Sequence, residues 1–531
     1  MNFTKINLWF TFIVMVSFFT ACKKDGREMN PKGEYAPSVQ NTATCTYTIP
    51  LNQSVVDAKS LNIGPGSVVC LEAGTRGPLI LRNFVGSPTS PIIFVNKGGK
   101  VTFKTSGSYG VKVENSKYLK FTGTGSSSHK YGIEIDGPHI GITFEKLTTN
   151  LELEYAEIHN IGFAGVMCKT DPSCDQSTWR DNFVMRDIVM HHNYIYKTGG
   201  EGFYIGNSFY ASGRSLSCGN IMPHSIENLS LYDNIVRYTD AEGIQVGCVI
   251  RGAKIYNNTI EYYGQSPFAN YQNNGLQIGE GTGGLCYNNV IKNGPGNGMI
   301  VLGLGDNVIF NNLIINSGEN GVFVDERYTP GSNFAFYNNT IVNAGQDGMR
   351  FYSEKIPMNT VVNNIIINPG SGKFINTSNG VRLTESNNFT SKNVADVKFV
   401  NASAGDYRLQ AGSPAIDAGA NVASKGVTFD LTGAGRPAGK GFDIGAYEFG
   451  ATGGNDGGSG GGNDGGSSGP GDGDIADIKV ASLTLVNAET HKDIMTMTPG
   501  MVIDFSKIGT SKINIRANAA SSKVGSIVFG L

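Results

Sequence analysis

The sequence predicts an all-β chain whose main body is a right-handed parallel β-helix. Two observations lead to this prediction: 72 of the 531 residues are glycine, about twice the usual share of ~7%, and two short markers recur along the chain in phase. A chain interrupted so often by glycine cannot sustain long helices, which excludes an all-helical fold. An apolar share of 40% is enough to form a core, which excludes wholesale disorder.

The first marker is a pair of asparagines flanked by apolar residues. Its copies are Asn257-Asn258, Asn288-Asn289, Asn311-Asn312, Asn338-Asn339, Asn363-Asn364 and Asn387-Asn388. From Asn289 onward, successive copies lie 23 to 27 residues apart. Asparagine tolerates left-handed turns, and stacked amides hydrogen-bond to one another. We therefore expect this column to build the fold and to take no part in chemistry.

The second marker is a glycine followed by alternating apolar residues. Its copies are Gly202, Gly243, Gly275, Gly298, Gly321 and Gly348. The spacing of 23 to 27 residues is about the length of one coil of three short parallel strands. Such coils bury their apolar faces only when they stack. The repeat therefore predicts the β-helix over residues 45–400.

The N-terminus predicts export. Residues 8–20 form an apolar run that is too short to span a bilayer but suits a signal peptide over residues 1–22. The residues Phe19-Thr20-Ala21-Cys22 resemble the lipobox of bacterial lipoproteins, which implies lipidation at Cys22; an ordinary secretory signal is the alternative. We expect residues 23–44 to be a tether and the protein to be a monomer, lipid-anchored to the outer membrane or cell surface.

Export permits disulfides. Cys168 and Cys174 flank a short loop and are the first candidate pair. The formal net charge of −2 provides no basic field for nucleic acid, and we expect none as a partner.

Three segments follow the repeat. Residues 401–449 resemble the choice-of-anchor segment of bacterial β-helix proteins, through Gly412-Ser413-Pro414-Ala415-Ile416-Asp417 and Asp443-Ile444-Gly445-Ala446-Tyr447-Glu448. We expect this segment to cap the open end of the solenoid. Residues 450–474 are a Gly/Ser/Asp linker. Residues 475–531 resemble part of a β-sandwich module, expected to be incomplete, with a small complete β-domain as the alternative.

The stretch from Ile63 to Pro78, IGPGSVVCLEAGTRGP, looks like the entry coil of chondroitinase-B and alginate-lyase relatives. The chain thus resembles the pectate-lyase-like superfamily over residues 45–400. The resemblance implies a right-handed β-helix and an acidic polysaccharide as the partner.

The candidate site follows from alternation along the strands, aligned on the glycine marker. The column just before the glycine is predicted to face outward and contains Glu201, Glu242 and Asn274. Stacked carboxylates cost free energy unless one is protonated or a cation lies between them. Glu201, Glu242 and Asn274 are therefore candidate Ca²⁺ ligands, and the two glutamates are also candidate acid and base groups for a sugar.

Polar and aromatic side chains are expected beside this pair. Tyr204, Gln245 and Gln277 form the next outward column, and Gly206, Gly247 and Gly279 are expected to leave a shallow groove for a polymer. Further candidates are Lys169 and Arg350 as catalytic groups, and Asp325, Arg327 and Tyr352 as substrate-binding groups.

The sequence therefore predicts a surface lipoprotein that binds an acidic polysaccharide and cleaves it by β-elimination. Two alternatives stay open: a non-catalytic glycan-binding or adhesive protein, and a glycoside hydrolase that uses paired carboxylates.

Overall fold

The computed structural model describes residues 44–304, 306–325, 333–353, 355–356, 358–451, 480–487, 490, 492–497 and 513–519. The described residues between 44 and 451 belong to one compact unit, whose body is a parallel β-helix with three sheets. The expected all-β fold is confirmed. In the part of the chain that the structure describes, no helix is long and apolar enough to cross a membrane.

Sheet 1 contains twelve strands paired in parallel. They are β2 (Val55–Asp57), β4 (Leu79–Arg82), β6 (Tyr109–Glu114), β9 (Ile140–Glu145), β12 (Val166–Cys168), β15 (Phe203–Ile205), β20 (Ile244–Val246), β24 (Leu276–Ile278), β27 (Met299–Val301), β30 (Val322–Val324), β33 (Met349–Phe351) and β36 (Ile375–Thr377).

The other 24 parallel strands form two sheets that are joined through the long strand β5. Sheet 2 contains β1 (Tyr47–Ile49), β3 (Val68–Arg76), β5 (Ile92–Lys104), β7 (Lys117–Thr122), β10 (Thr149–Glu154), β13 (Val184–His191), β18 (Ser225–Tyr232), β21 (Val249–Arg251), β22 (Ala253–Tyr256), β25 (Gly284–Tyr287), β28 (Asn307–Phe310), β31 (Asn333–Tyr337), β34 (Met358–Val362) and β37 (Leu383–Ser386). Sheet 3 contains β8 (Ile133–Asp136), β11 (Ala156–Ile161), β14 (Tyr194–Thr198), β19 (Ile235–Thr239), β23 (Thr259–Glu261), β26 (Val290–Gly294), β29 (Leu313–Ser317), β32 (Thr340–Val342), β35 (Ile365–Ile367) and β38 (Phe389–Ser391).

Smaller elements complete the described chain. They are the hairpins β16 (Arg214–Leu216)/β17 (Gly219–Ile221) and β39 (Phe399–Asn401)/β40 (Asp406–Leu409), the antiparallel sheet of β41 (Val480–Asn487), β42 (Asp493–Met497) and β43 (Ile513–Ala519), and 3₁₀ turns at Ala58–Ser60, Gln176–Thr178, Val394–Val397, Ala402–Ala404 and Ala423–Lys425.

The asparagine pairs divide two structural roles between their members. The first asparagine of each pair has a positive φ, as at Asn311 (53°), and makes the turn from sheet 2 to sheet 3. The second is buried, except for the half-buried Asn388 of the last pair, and bonds from coil to coil. Nδ2 of Asn289 donates to Oδ1 of Asn312, and Nδ2 of Asn312 donates to Oδ1 of Asn339, both over 2.9 Å. The expected turn and ladder functions of asparagine are confirmed.

The glycine marker is explained by the close approach of successive coils. A Cβ atom on Gly298 would collide with Ile314 and lie 2.7 Å from the carbonyl oxygen of Gly321, which is the marker glycine of the next coil. A Cβ atom on Gly275 or Gly321 would meet the equivalent isoleucine and the carbonyl oxygen of the next marker glycine. Only hydrogen fits at this column, because the obstacle is partly backbone.

The expectation that residues 401–449 cap the open end is wrong. Tyr407, Leu409 and Ile444 of this segment pack instead against the outer side of sheet 3, on a cluster formed by Leu313, Ile315, Val342, Ile365 and Ile367. The physical reason is visible in β29 and β35, where unbroken apolar triplets replace alternation and so need cover on both faces.

The expected pairing of Cys168 with Cys174 is also wrong. The disulfides join Cys45 to Cys70 and Cys174 to Cys218. Cys168 is fully buried and free, because alternation in β12 turns its side chain into the core.

Candidate functional site

The outer face of sheet 1 brings the predicted polar column together. In neighbouring strands Tyr204 pairs with Gln245, and Gln245 pairs with Gln277. The pairing of β15 with β20 also shows that residues 208–224 are an insertion, since the chain resumes the repeat after them. Tyr204 and Gln277 are half-buried, whereas Gln245 is buried.

Lys169 lies against this column at its start. Its Nζ lies 4.3 Å from the ring centroid of Tyr204 and 3.0 Å from Oδ1 of Asp171. Burial alone would lower the pKa of Lys169, but Tyr204 and Asp171 outweigh it and the pKa is raised. Lys169 is therefore a permanent cation at neutral pH and cannot serve as a base.

A hydroxyl that sequence reasoning missed connects the column. The hydroxyl of Tyr204 lies 3.0 Å from Oγ of Ser208, which also accepts a hydrogen bond from Nε2 of Gln245 over 2.9 Å. These contacts hold the tyrosine and the glutamine of neighbouring coils in fixed orientations.

The shallow groove expected at Gly206, Gly247 and Gly279 is not open, because all three glycines are buried. The insertion folds over this side of sheet 1. The ring of Tyr210 occupies the space that a side chain on Gly281 would need, and Arg180 lies 3.9 Å from the centroid of that ring. The Cys174–Cys218 disulfide ties the insertion to the preceding loop.

The accessible side of the column has an aromatic wall, defined by Phe163, Tyr204 and Phe268. The ring of Phe163 lies 6.2 Å from that of Tyr204 and 5.6 Å from that of Phe268. Phe268 is 56% exposed, and Tyr271 in the same loop is 77% exposed. The sequence signal for this loop was the longer step of 31 residues from Asn258 to Asn289.

The expectation that Glu201 and Glu242 form an exposed column is wrong. Their exposed fractions are 1% and 0%. Both residues precede their strands, at a turn where alternation does not apply, and a loop covers the column, since Nδ2 of Asn274 donates to the carbonyl of Tyr271 over 2.9 Å. The two glutamates are neighbours in adjacent coils, as expected, since the amide of Gly202 donates to the carbonyl of Glu242 over 3.1 Å. Side chains buried to this degree do not contact a polymer.

The donors around this pair do not fit Ca²⁺. Asn274 directs its Nδ2 at Oε1 of Glu242 over 3.1 Å, so it presents a donor where a cation needs an oxygen. Its own Oδ1 accepts from Asn297. Calcium takes six to eight oxygen ligands, and two buried carboxyls do not provide them. Ca²⁺ binding at this pair therefore has no support from the donor set.

The remaining candidates lie far from Lys169. Arg350 in β33 is six strands along sheet 1 from β12, or ~29 Å at ~4.8 Å per strand. Its guanidinium pairs with Asp347 over 3.3 Å and lies 5.7 Å from the ring of Tyr352. Asp325 directly follows β30 in the same part of the solenoid, and Arg327 lies outside the described residues. One catalytic centre containing Lys169 and Arg350 is thus ruled out.

A cluster on sheet 2 combines carboxylates with a histidine. Nε2 of His191 lies 3.1 Å from Oε1 of Glu152, and Nζ of Lys120 lies 2.7 Å from the same atom and 2.9 Å from Glu154. Although burial would raise the pKa of Glu152, His191 and Lys120 lower it to about 2. Lys120 already supplies the positive charge that a metal ion would bring to these carboxylates, so this cluster is an ion-pair network.

Several solved structures are similar in fold. The pectate lyase Pel9A is 13% identical, with 76% of this chain and 97% of that chain covered and a TM-score of 0.38. A GH136 lacto-N-biosidase from Eubacterium ramulus is 12% identical, with 62% and 63% covered and a TM-score of 0.43. A PL6 family polysaccharide lyase from Pseudopedobacter saltans is 14% identical, with 68% and 97% covered and a TM-score of 0.38. Such identities concern the fold and not the activity.

A family model described as "Right handed beta helix region" matches residues 220–394. A comparison with curated protein sequences finds no match. The family match gives the hand of the solenoid, and the three parallel sheets give its architecture. The chain is therefore a right-handed parallel β-helix protein, with the fold that its resemblance to the pectate-lyase-like superfamily implied.

Proposed function

We propose that the protein binds an acidic polysaccharide along the outer face of sheet 1, beside the aromatic wall. One observation supports this most directly: the Lys169 ammonium lies 4.3 Å from the centre of the half-buried Tyr204 ring. A cation beside an aromatic face matches both the carboxylate and the apolar ring face of a uronate. The exposed Ser208 adds a hydroxyl group beside Tyr204, and the buried Gln245 of the next coil holds this hydroxyl in place.

We further propose cleavage by β-elimination. Lys169 neutralises the uronate carboxylate, and Tyr204 takes the proton from the carbon next to that carboxyl group. Tyr204 reacts as the phenolate and holds the abstracted proton while the carbon–carbon double bond forms and the bond between the β-carbon and the glycosidic oxygen breaks. The resulting phenol then returns this proton to the leaving oxygen. Lys169 is assigned to charge neutralisation because its raised pKa keeps it protonated.

Binding is tested with alginate, pectate and chondroitin sulfate by calorimetry. Lys169→Met is expected to weaken binding about tenfold to hundredfold, as for a lost charge-assisted hydrogen bond of ~1.5–3 kcal/mol. Lys254→Met is the matched control, because Lys254 is exposed on sheet 2. Equal affinities for Lys169→Met and the wild type would refute the proposed binding site.

Cleavage is tested by the absorbance of unsaturated uronates. Tyr204→Phe keeps the ring and is expected to retain binding while product formation falls by at least about a hundredfold. Tyr256→Phe, on the outer face of sheet 2, is the control. Binding without any unsaturated product would show that the protein binds the glycan and does not cleave it.

The salt bridge between Lys169 and Asp171 favours this second function, non-catalytic glycan binding, because it already balances the charge of the lysine.

Export and lipid anchoring through Cys22 also belong to the proposal and are supported by the sequence of residues 1–22. Metabolic labelling with a radioactive fatty acid is expected to mark the wild type but not Cys22→Ser. Labelling of both would contradict lipidation at this residue.

A further inference from the structure

A second buried ladder runs beside the marker glycines, and all its hydrogen bonds point in one direction. The amide of Asp347 donates to Oδ1 of Asn320 over 3.2 Å. Nδ2 of Asn320 donates to Oδ1 of Asn297, and Nδ2 of Asn297 donates to Oδ1 of Asn274, each over 2.8 Å. Nδ2 of Asn274 donates to Oε1 of Glu242 over 3.1 Å. Each donor lies one coil later than its acceptor.

The next step of this ladder joins Glu242 to Glu201. Two ionised carboxylates have no hydrogen to donate, so the ladder would end in a repulsive contact. Among the described residues, Oε2 of Glu201 and Oε2 of Glu242 are buried without a hydrogen-bond partner. A buried polar atom without a partner costs about 1–3 kcal/mol, and more when it is charged. Both atoms therefore require a donor between the two coils.

We propose that Glu201 and Glu242 share one proton, with Glu242 neutral and donating its hydroxyl to the carboxylate of Glu201. This hydroxyl continues the ladder in its existing direction, and it gives both Oε2 atoms a partner. Glu242 then accepts from Asn274 and donates to Glu201, as each asparagine does in its own coil. The pair is a positioning element, since Tyr204 and Gln245 follow the two glutamates by three residues.

The charged groups that act on the pair agree with this arrangement. Burial raises the pKa of Glu242 to about 8, and the neighbouring Glu201 adds to the effect. Burial also raises the pKa of Glu201 to about 7, although Lys169 opposes it. Lys169 thus favours the negative charge on Glu201 rather than on Glu242.

The sign of the pH dependence follows from these directions. Both carboxyls have a higher pKa in the folded chain than the ordinary value of 4.5, so the folded state binds more protons than the unfolded one. Stability contributed by the pair is fully present below pH ~4.5 and is lost as the pH rises through about 7 to 8. Above that range two stacked carboxylates repel each other beneath Tyr204 and Gln245.

The test is thermal unfolding between pH 6 and 9, which needs no ligand and so is independent of the proposed function. The wild type is expected to lose several degrees of Tm over this range. Glu242→Gln supplies an amide donor to Glu201 and an acceptor to Asn274, so its Tm is expected to change much less with pH. Glu152→Gln is the control, because a carboxyl with a pKa near 2 does not titrate in this range. The same pH dependence in the wild type and Glu242→Gln would overturn the proposal.

Infrared spectroscopy is the second measurement and does not depend on the stability of the variant. At pH 7.5, between the pKa values of about 7 for Glu201 and about 8 for Glu242, the wild type is expected to show the carbonyl band of a buried neutral carboxyl group, and Glu242→Gln is expected to lose most of it. Adding calcium distinguishes a proton shared by the two carboxyls from a cation bound between them. If Ca²⁺ raises the Tm of the wild type but not of Glu242→Gln, a cation occupies this position and the proposal is wrong.

Discussion

Replacing Asn312 by aspartate is expected to lower the free energy of unfolding by about 3–5 kcal/mol. Nδ2 of Asn312 donates to the carbonyls of Cys286 and Phe310, over 3.0 and 3.1 Å, and to Oδ1 of Asn339. Aspartate has the same shape but no donor, so three acceptors would face a buried carboxylate. The midpoint of urea unfolding measures the loss, which is expected to grow with rising pH because the buried acid ionises.

Asn316→Asp is the matched control for this substitution. Asn316 belongs to an exposed asparagine column, where it donates to Asn293 over 2.9 Å and accepts from Asn343 over 3.1 Å. Aspartate tolerates its positive φ of 53°, and water replaces the lost partners. A loss below about 1 kcal/mol is expected. Similar losses at Asn312 and Asn316 would show that burial of the ladder does not determine its contribution to stability.

Gly298→Ala is expected to destabilise the solenoid by about 3 kcal/mol through one added methyl group. The new Cβ would collide with Ile314 and lie 2.7 Å from the carbonyl oxygen of Gly321. The carbonyl is part of the ladder between coils, so relief requires the coils to separate locally. Thermal unfolding and protection of the Gly321 region from amide exchange measure the effect.

Gly64→Ala controls for the loss of glycine itself, because a Cβ atom there meets nothing within 4 Å and its φ is not positive. Its stability is expected to stay within about 0.5 kcal/mol of the wild type or to rise slightly. If Gly298→Ala is equally neutral, the close approach of coils does not explain the glycine marker.

The candidate site was predictable only where alternation along the strands could be counted. The register of Tyr204 with Gln245 and Gln277 was predicted correctly, because the period of two and the spacing of the coils fix it. Glu201 and Glu242 were correctly placed as neighbours, but their burial was not predicted. They lie at a turn before the strands, where alternation does not apply, and a loop covers their column.

Contacts between loops were beyond prediction from the sequence. Phe268 reaches the aromatic wall from a loop after β23, and Ser208 reaches Gln245 from the insertion. The Cys174–Cys218 pairing depends on the fold of the same insertion. Sequence spacing does not encode how an inserted loop folds back, because loops follow no period.

The sequence by itself determined the solenoid, its period and the residues of its coil-to-coil columns. Asparagine and glycine recur because every coil needs the same left-handed turn, the same amide ladder and the same close approach of the backbone. Only the tertiary structure decided where residues 401–449 pack, which glycines are covered and that Glu201 and Glu242 are buried. The physical reason is that these features occur once, between parts of the chain with unrelated spacing, so no repetition in the sequence records them.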